Sequence, residues 1–421
     1  MGVSMKPYTR SIFTALSNLT GHGVVNGDTP SATRARSFFV SVRKLTKDDF
    51  LARTGVVVWI LFNLVILILV WHDPEANSVV VNYRQGAVGW WAGSDIFGPG
   101  IAGFVYLPSF AVLYTPFALL GEPWGDILWR SVSVGALTYA VWRAVRLYLP
   151  ARSFDAFGPV LLLILPAGGS ALRNEQATTL LLALMLLATL AIAERRWWPA
   201  AGLLGLAFAL KPLAIVLLLL AGALYRPLAG RLVLCLILVF LLPLLHPDPA
   251  AAWHLYGLCL RKLFRMATGA GDWSDITGLL NWIGIAASPV ALTLLRLVTA
   301  AGVLAIGYLA VHRQDDKIAA LDLFALSICY LILMSPRTED NTYLMLAATI
   351  GLFSVLLSQR EHRLTGAWLL AGLCVALGNQ AYGNLIFRAT VLWLKPLLCL
   401  VFLPFLIKSC LVAVFHRDHP N

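Results

Sequence analysis

Between residues 71 and 110 the chain reads WHDPEANSVVVNYRQGAVGWWAGSDIFGPGIAGFVYLPSF. Three acids (Asp73, Glu75, Asp95) and one base (Arg84) stand there among Tyr83, Trp90, Trp91, Phe97 and Tyr106. A carboxylate beside aromatic platforms is what deprotonating a sugar hydroxyl requires. Acids after an apolar run are also ordinary loop residues, and Trp and Tyr belong to any membrane-interface belt. SALRNEQ (170–176) sets Arg173, Asn174, Glu175 and Gln176 at the opening of an apolar run. There Asn174 would cap a helix with Glu175 in its first turn, or Arg173 would meet a phosphate at a helix N-terminus. SPRTEDNTY (335–343) puts Arg337, Glu339, Asp340, Asn341 and Tyr343 in a turn that Gly and Ser could have made. Arg261, Lys262 and Arg265 crowd about one helical turn, followed by GDWSDITGLLNWIG (271–284) with Asp272, Trp273, Asp275 and Trp282. Finally, Lys211 lies inside GLAFALKPLAIVLLLL (205–220). A cation at the bilayer centre costs about 2.5–3.5 kcal/mol on insertion scales, a cost relieved if the side chain reaches an interface.

What positions these residues is a membrane bundle. Of 421 residues, 59% are hydrophobic and 13% charged, with mean hydropathy +0.79. A soluble chain is about a quarter charged. Apolar runs recur along nearly the whole length, so the chain is an all-α polytopic membrane protein. The ten-residue alternating segments of an outer-membrane barrel are missing. The net charge of +11 reads as a loop bias rather than a nucleic-acid footprint. Six cysteines stand singly with no CxxC, five of them in apolar runs, as packing residues do.

Residues 1–54 form a basic polar tail with no apolar leader core, with a basic amphipathic helix expected near 34–53. Twelve spans are expected near 55–71, 126–147, 157–170, 176–193, 199–211, 213–225, 232–246, 287–311, 319–335, 342–359, 366–380 and 387–407. With the N-terminus inside, the inward loops take Arg143, Arg146, Arg152, Arg195, Arg196, Arg226, Arg231, Arg313, Lys317, Arg360, Arg363 and Lys408, as the positive-inside rule prefers. Both termini are then cytoplasmic. Segment 103–120 becomes a re-entrant helix, interrupted by Pro108 and Pro116, within a long external loop (72–125). The outer face collects that loop, 168–176, a second long loop (247–286), 335–343 and 378–384. Lys211 falls at an outward turn, as an interfacial anchor or as a cation aimed at an anionic group. The cluster at 261–265 breaks the charge rule and suits the anionic head of a lipid-linked substrate.

The order of FVYLPSF (104–110), a polar cluster opening a span, AGLLGLAFALKP (201–212), then SP with a polar turn and YLML (343–346) resembles the GT-C glycosyltransferases, specifically glycosyltransferase family 87. The resemblance covers about residues 55–360, leaving 361–421 as further spans and a short cytoplasmic tail. It implies a GT-C-type bundle and a sugar donor carried on polyprenyl phosphate, with mannose as one candidate sugar. It also implies a lipid or glycan acceptor, and a first-loop Asp as general base of an inverting single displacement at the outer face of a bacterial inner membrane. Family members commonly carry an Asp just before the aromatic that here is Tyr83. NSVVVNYR offers Asn77 and Asn82 instead, which leaves Asp73, Glu75 or Asp95. Where many carry Gly-Gln-x-Asn, this chain has RNEQ.

Phosphate-binding roles then fall to Lys211, Arg173, Arg337 and the Arg261/Lys262/Arg265 group. The remaining substrate-binding candidates are Tyr83, Arg84, Tyr106, Asn174, Glu175, Gln176, Glu339, Asp340, Asn341 and Tyr343. No nucleotide-binding motif occurs, so the reaction energy comes with the donor. No cofactor is called for, though Asp73 and Glu75 could hold a divalent metal. A flippase or transporter would explain the bundle and an intramembrane Lys. It would not explain polar clusters on one side, since transporter sites sit near the midplane. An inactive subunit of an envelope-polymer assembly would keep the fold without the chemistry.

Overall fold

A computed structural model of the chain describes residues 30–76, 78–98, 103–268, 273–360 and 363–415. Most of the expected N-terminal tail, and Asp272, lie outside these. The chain divides into two units, residues 1–49 and 50–421. The described residues form seventeen α-helices and no strand. In order they are α1 Pro30–His72, α2 Val80–Trp91, α3 Pro108–Leu120, α4 Trp124–Tyr148, α5 Ser153–Asn174, α6 Thr178–Ala193, α7 Trp197–Leu210, α8 Ile215–Leu224 and α9 Arg226–Leu241. There follow α10 Pro249–Thr268, α11 Ile276–Trp282, α12 Pro289–Arg313, α13 Asp316–Met334, α14 Tyr343–Arg360, α15 Leu364–Leu377, α16 Asn384–Thr390 and α17 Leu394–Phe415.

Every expected span meets a helix, but the count of twelve is not what length and composition alone give. Among the described residues, seven segments are long and apolar enough to cross a membrane: Phe50–His72, Pro150–Asn174, Arg226–Leu245, Pro289–Arg313, Asp316–Met334, Asp340–Gln359 and Leu394–Leu411. Segments Thr178–Ala193, Trp197–Leu210, Pro212–Leu224 and Leu364–Leu377 are apolar but shorter. The 25-residue α4 is long enough but carries Asp126, Arg130, Arg143 and Arg146. The expected span 387–407 is a misplacement. A short helix, α16, ends at Thr390, and the long helix starts only at Leu394.

Segment Pro108–Leu120 is a single 13-residue helix, about 20 Å long at 1.5 Å per residue against about 30 Å of hydrocarbon. It is buried in protein along Pro108, Ser109, Phe110, Ala111 and Tyr114. Ser109 Oγ donates to the Ala209 carbonyl at 3.2 Å, fixing α3 to the end of α7.

Helix order sorts the loops into two ends. At one end Arg143 pairs with Glu194 (2.8 Å), Arg195 with Asp316 (2.6 Å), and Arg152 bonds Gln359 (2.8 Å). These are loops expected to face inward, and they share one end. Near it α1 and α5 cross backbone to backbone. A Cβ on Gly158 would lie 2.0 Å from the Ala52 carbonyl oxygen, and one on Gly55 2.3 Å from that of Gly158. Small residues of this kind let membrane helices approach closely. The loops expected outward meet at the opposite end.

At that opposite end α10 is amphipathic. Ala252, Leu255, Cys259 and Lys262 make its buried stripe, while Trp253, Leu260 and Phe264 are exposed. That is the pattern of a helix lying in a membrane interface.

Candidate active site

The site end is built on an aromatic wall. Tyr83 on α2 touches Tyr106, Phe110, Tyr114 and Trp129 edge-on, with ring centroids 4.9–6.2 Å apart. The Tyr83 and Tyr106 hydroxyls share a 2.8 Å hydrogen bond. The Ala177 backbone N–H donates to Tyr83 Oη at 3.1 Å, tying the wall to the turn between α5 and α6. Burial pushes both phenols well above their ordinary value, so both stay protonated as neutral hydroxyls.

In front of this wall lies the first polar group. Gln176 Nε2 donates to Glu339 Oε2 at 3.1 Å. Lys211 Nζ stands 4.0 Å from the same oxygen and 3.3 Å from Thr178 Oγ1. The Glu339 charge is felt at both Tyr83 and Tyr106. The Glu339 side chain is 42% exposed, so one carboxylate face is open to a ligand. Lys211 reaches this place because α7 stops at Leu210 and the residue before Pro212 is extended (φ −151°, ψ 127°), as a residue preceding proline prefers.

A second group surrounds α10. Lys262 is buried and donates to the Phe97 carbonyl at 2.6 Å. Burial and the Arg265 charge lower its pKa, Asp95 raises it, and Arg337 lowers it further, so Asp95, Arg265 and Arg337 all lie near it. Asp95 is exposed and accepts from the Phe97 backbone N–H at 2.9 Å. The Arg337 guanidinium sits over the Trp273 ring, 4.8 Å from its centroid, a cation–π geometry.

A third group turns the other way. Lys395, from the first turn of α17, reaches Asp340 Oδ1 at 2.5 Å and lies 5.5 Å from the Tyr343 ring centroid. Tyr343 Oη donates to the Ser274 carbonyl at 2.8 Å. Asn341 stands in the short 3-10 turn Asp340–Thr342.

Several expected site residues belong to none of these groups. Arg84 is engaged by Asp126, at 2.8 and 2.9 Å, and by Glu122. Glu175 is engaged by Arg130 at 3.1 Å, both side chains being almost wholly buried. Burial pushes the Glu175 carboxyl well above the usual range, against the Arg130 charge. Glu75 is exposed and near enough to Asp126 to act on it, so it sides with this ion-pair network. Asp73 is exposed and accepts from the Ala76 N–H at 3.2 Å. Arg261 is exposed on α10.

The reading of SALRNEQ as a helix start is corrected. Arg173 and Asn174 are the last residues of α5, and Glu175 closes it in the left-handed region (φ 60°, ψ 35°). The next helix begins only at Thr178. Arg173 therefore sits at a helix C-terminus, where a cation suits the dipole, and not at a phosphate-binding N-terminus. Asn174 Nδ2 donates to Ser170 Oγ at 3.4 Å, and the Asn174 carbonyl accepts from Val79 N at 3.1 Å. Thr178, Arg130, Asp126 and Lys395 were not among the expected site residues. Each announces itself only as a polar residue inside an apolar helix, the signal Lys211 also gave.

The class the fold defines is an all-α membrane bundle with carboxylates, cations and neutral hydroxyls gathered at one end. The model of glycosyltransferase family 87 matches residues 104–336, more than half of the 421 residues. The chain belongs to that family and is by membership a membrane glycosyltransferase. The comparison with curated proteins gives no match.

Proposed function

We propose that this glycosyltransferase takes its sugar from a polyprenyl-phosphate donor and passes it to a lipid or glycan acceptor, by a single inverting displacement at the outer leaflet. The observation that carries the reading is the juxtaposition at one end of the bundle. An open carboxylate, Glu339, stands with Lys211, Gln176 and two phenol hydroxyls, beside a basic group of Lys262, Arg265 and Arg337 that faces the first-loop carboxylate Asp95. A sugar phosphate needs both halves. Hydroxyls want carboxylate, amide and phenol partners, and a departing phosphate wants cations held in place. In this reading Glu339, Gln176 and Tyr106 bind the sugar, and Lys211 reaches from their side toward the departing phosphate. Arg337, Lys262 and Arg265 take the phosphate. Asp95, the first-loop carboxylate that acts on Lys262, accepts the acceptor's proton.

The test offers purified protein polyprenyl-phosphate sugars and nucleotide sugars side by side. The expected result is a thermal shift and transfer with the lipid donor only; a shift with a nucleotide sugar alone rejects the reading. Asp95→Asn is expected to lower kcat by about 10²–10⁴-fold, the usual worth of a general base, and Glu339→Gln mainly to raise KM. The reverse pattern would move the base to Glu339. Sidedness is read by single cysteines, with positions 195–198 labelling from the cytoplasm and 73, 95 and 173 from outside. Labelling of 195–198 from outside inverts the site.

A further inference from the structure

Glu339 and Asp340 are consecutive acids that part company. Glu339 has extended backbone (φ −74°, ψ 152°), a conformation that sends successive side chains to opposite sides. Glu339 goes to Lys211 and Gln176, and Asp340 goes to Lys395. Lys395 lies beyond the stretch that carries the family match. Its side chain is 1% exposed, and its ammonium is 2.5 Å from Asp340 Oδ1.

Neither helix stability nor fold stability explains this lysine. A cation in the first turn of α17 opposes the helix dipole. A buried ion pair is also often no more stable than apolar residues of the same volume. What the pair does achieve is geometric. It pins the 3-10 turn that follows Glu339, with Tyr343 under the ammonium and Ser274 bonded to the Tyr343 hydroxyl.

We propose that Lys395 is a positioning residue. By drawing Asp340 into the bundle it leaves Glu339 as the single carboxylate of the turn presented to the sugar. The role of Glu339 rests on the function proposed above; the geometry assigned to Lys395 does not.

The experiment uses the full chain in nanodiscs and compares wild type, Lys395→Met, Asp340→Asn and the double variant. Three readouts are taken: melting, kcat and KM for transfer from a polyprenyl-phosphate sugar, and carboxyl modification by a water-soluble carbodiimide mapped by mass spectrometry. In wild type, Glu339 is expected to react and Asp340 to be protected. In Lys395→Met, Asp340 is left without its counter-charge and the turn shifts to hydrate it. Asp340 then becomes reactive, the Glu339 rate changes at least threefold, and kcat/KM falls at least tenfold through KM. The double variant, with both charges gone, is expected to regain the wild-type Glu339 rate and kcat/KM within about threefold. An unchanged Glu339 rate in Lys395→Met overturns the proposal. So does a double variant that melts like wild type yet transfers no sugar, because one of the two side chains would then be in the chemistry itself. If wild type transfers nothing from any polyprenyl donor, the function proposed above fails, and the modification pattern alone decides the role of Lys395.

Discussion

Leu210-Lys211-Pro212-Leu213 and Leu394-Lys395-Pro396-Leu397 are the same four residues in the same order, and they end in opposite situations. The first closes α7 in extended conformation and offers Lys211 to Glu339 across 4.0 Å, with side chains 14% and 42% exposed. The second opens α17 and drives Lys395 onto Asp340 at 2.5 Å, with side chains 1% and 16% exposed. One pair is loose and open, the other tight and closed. A buried charge pair resists the loss of either partner because the survivor has no water to turn to. A half-exposed pair is worth about 0–1 kcal/mol because solvent replaces the missing partner. The closed pair therefore fixes a structure, while the open one has bonding capacity left for a ligand.

The sharpest way to break this contrast is Asp340→Asn. It strands the Lys395 ammonium and is expected to cost about 3–5 kcal/mol, read as a fall in melting temperature and in yield. If Asp340→Asn melts like wild type, the closed pair is not closed. Lys211→Met is next. Melting is expected to stay within about 1 kcal/mol of wild type, while transfer falls about 100-fold, the order seen when a charge-stabilising donor is removed. Lys211→Arg is expected to recover part of it, since the charge is kept but its fork geometry differs. Full activity in Lys211→Met would make that lysine a mere anchor. The smallest effect is expected from Ser109→Ala. It removes the bond to the Ala209 carbonyl, two residues before Lys211, for about 1 kcal/mol of stability and a rise in KM with kcat kept. A fall in kcat instead would mean that α3 itself meets the reacting groups.

The helices were legible because an apolar run of helix formers has few alternatives in lipid. The sorting of loops into two ends was legible from Arg and Lys placement, with pairs such as Arg143–Glu194 and Arg195–Asp316 collecting at one end. The partners of each charge were not. Arg84 and Glu175 looked like site residues because their counter-charges, Asp126 and Arg130, sit over forty residues away along the chain. RNEQ carries the letters of a helix start, yet closeness of Trp129 Nε1 (3.3 Å) and Arg130 Nη2 (3.1 Å) to the carbonyls of Glu175 and Arg173 finishes α5 there instead. Lys395 escapes notice because one apolar stretch, 387–407, runs across the break between α16 and α17. A lone cation followed by proline in an apolar run was the available clue, and at Lys211 the same clue pointed to the site end.

The exposed apolar edge of α10, with Trp253, Leu260 and Phe264 beside the buried Lys262, has a kinetic consequence. A helix lying flat in an interface would put its neighbouring groups at the level of the acyl chains. The lipid-borne donor proposed above would then arrive by wandering within the membrane and not from the water above it. Saturation would then be governed by how many donor molecules occupy a given area of membrane. At constant donor and enzyme, adding empty bilayer to the same membranes slows the reaction, and the constant that describes half-saturation is a mole fraction rather than a molarity.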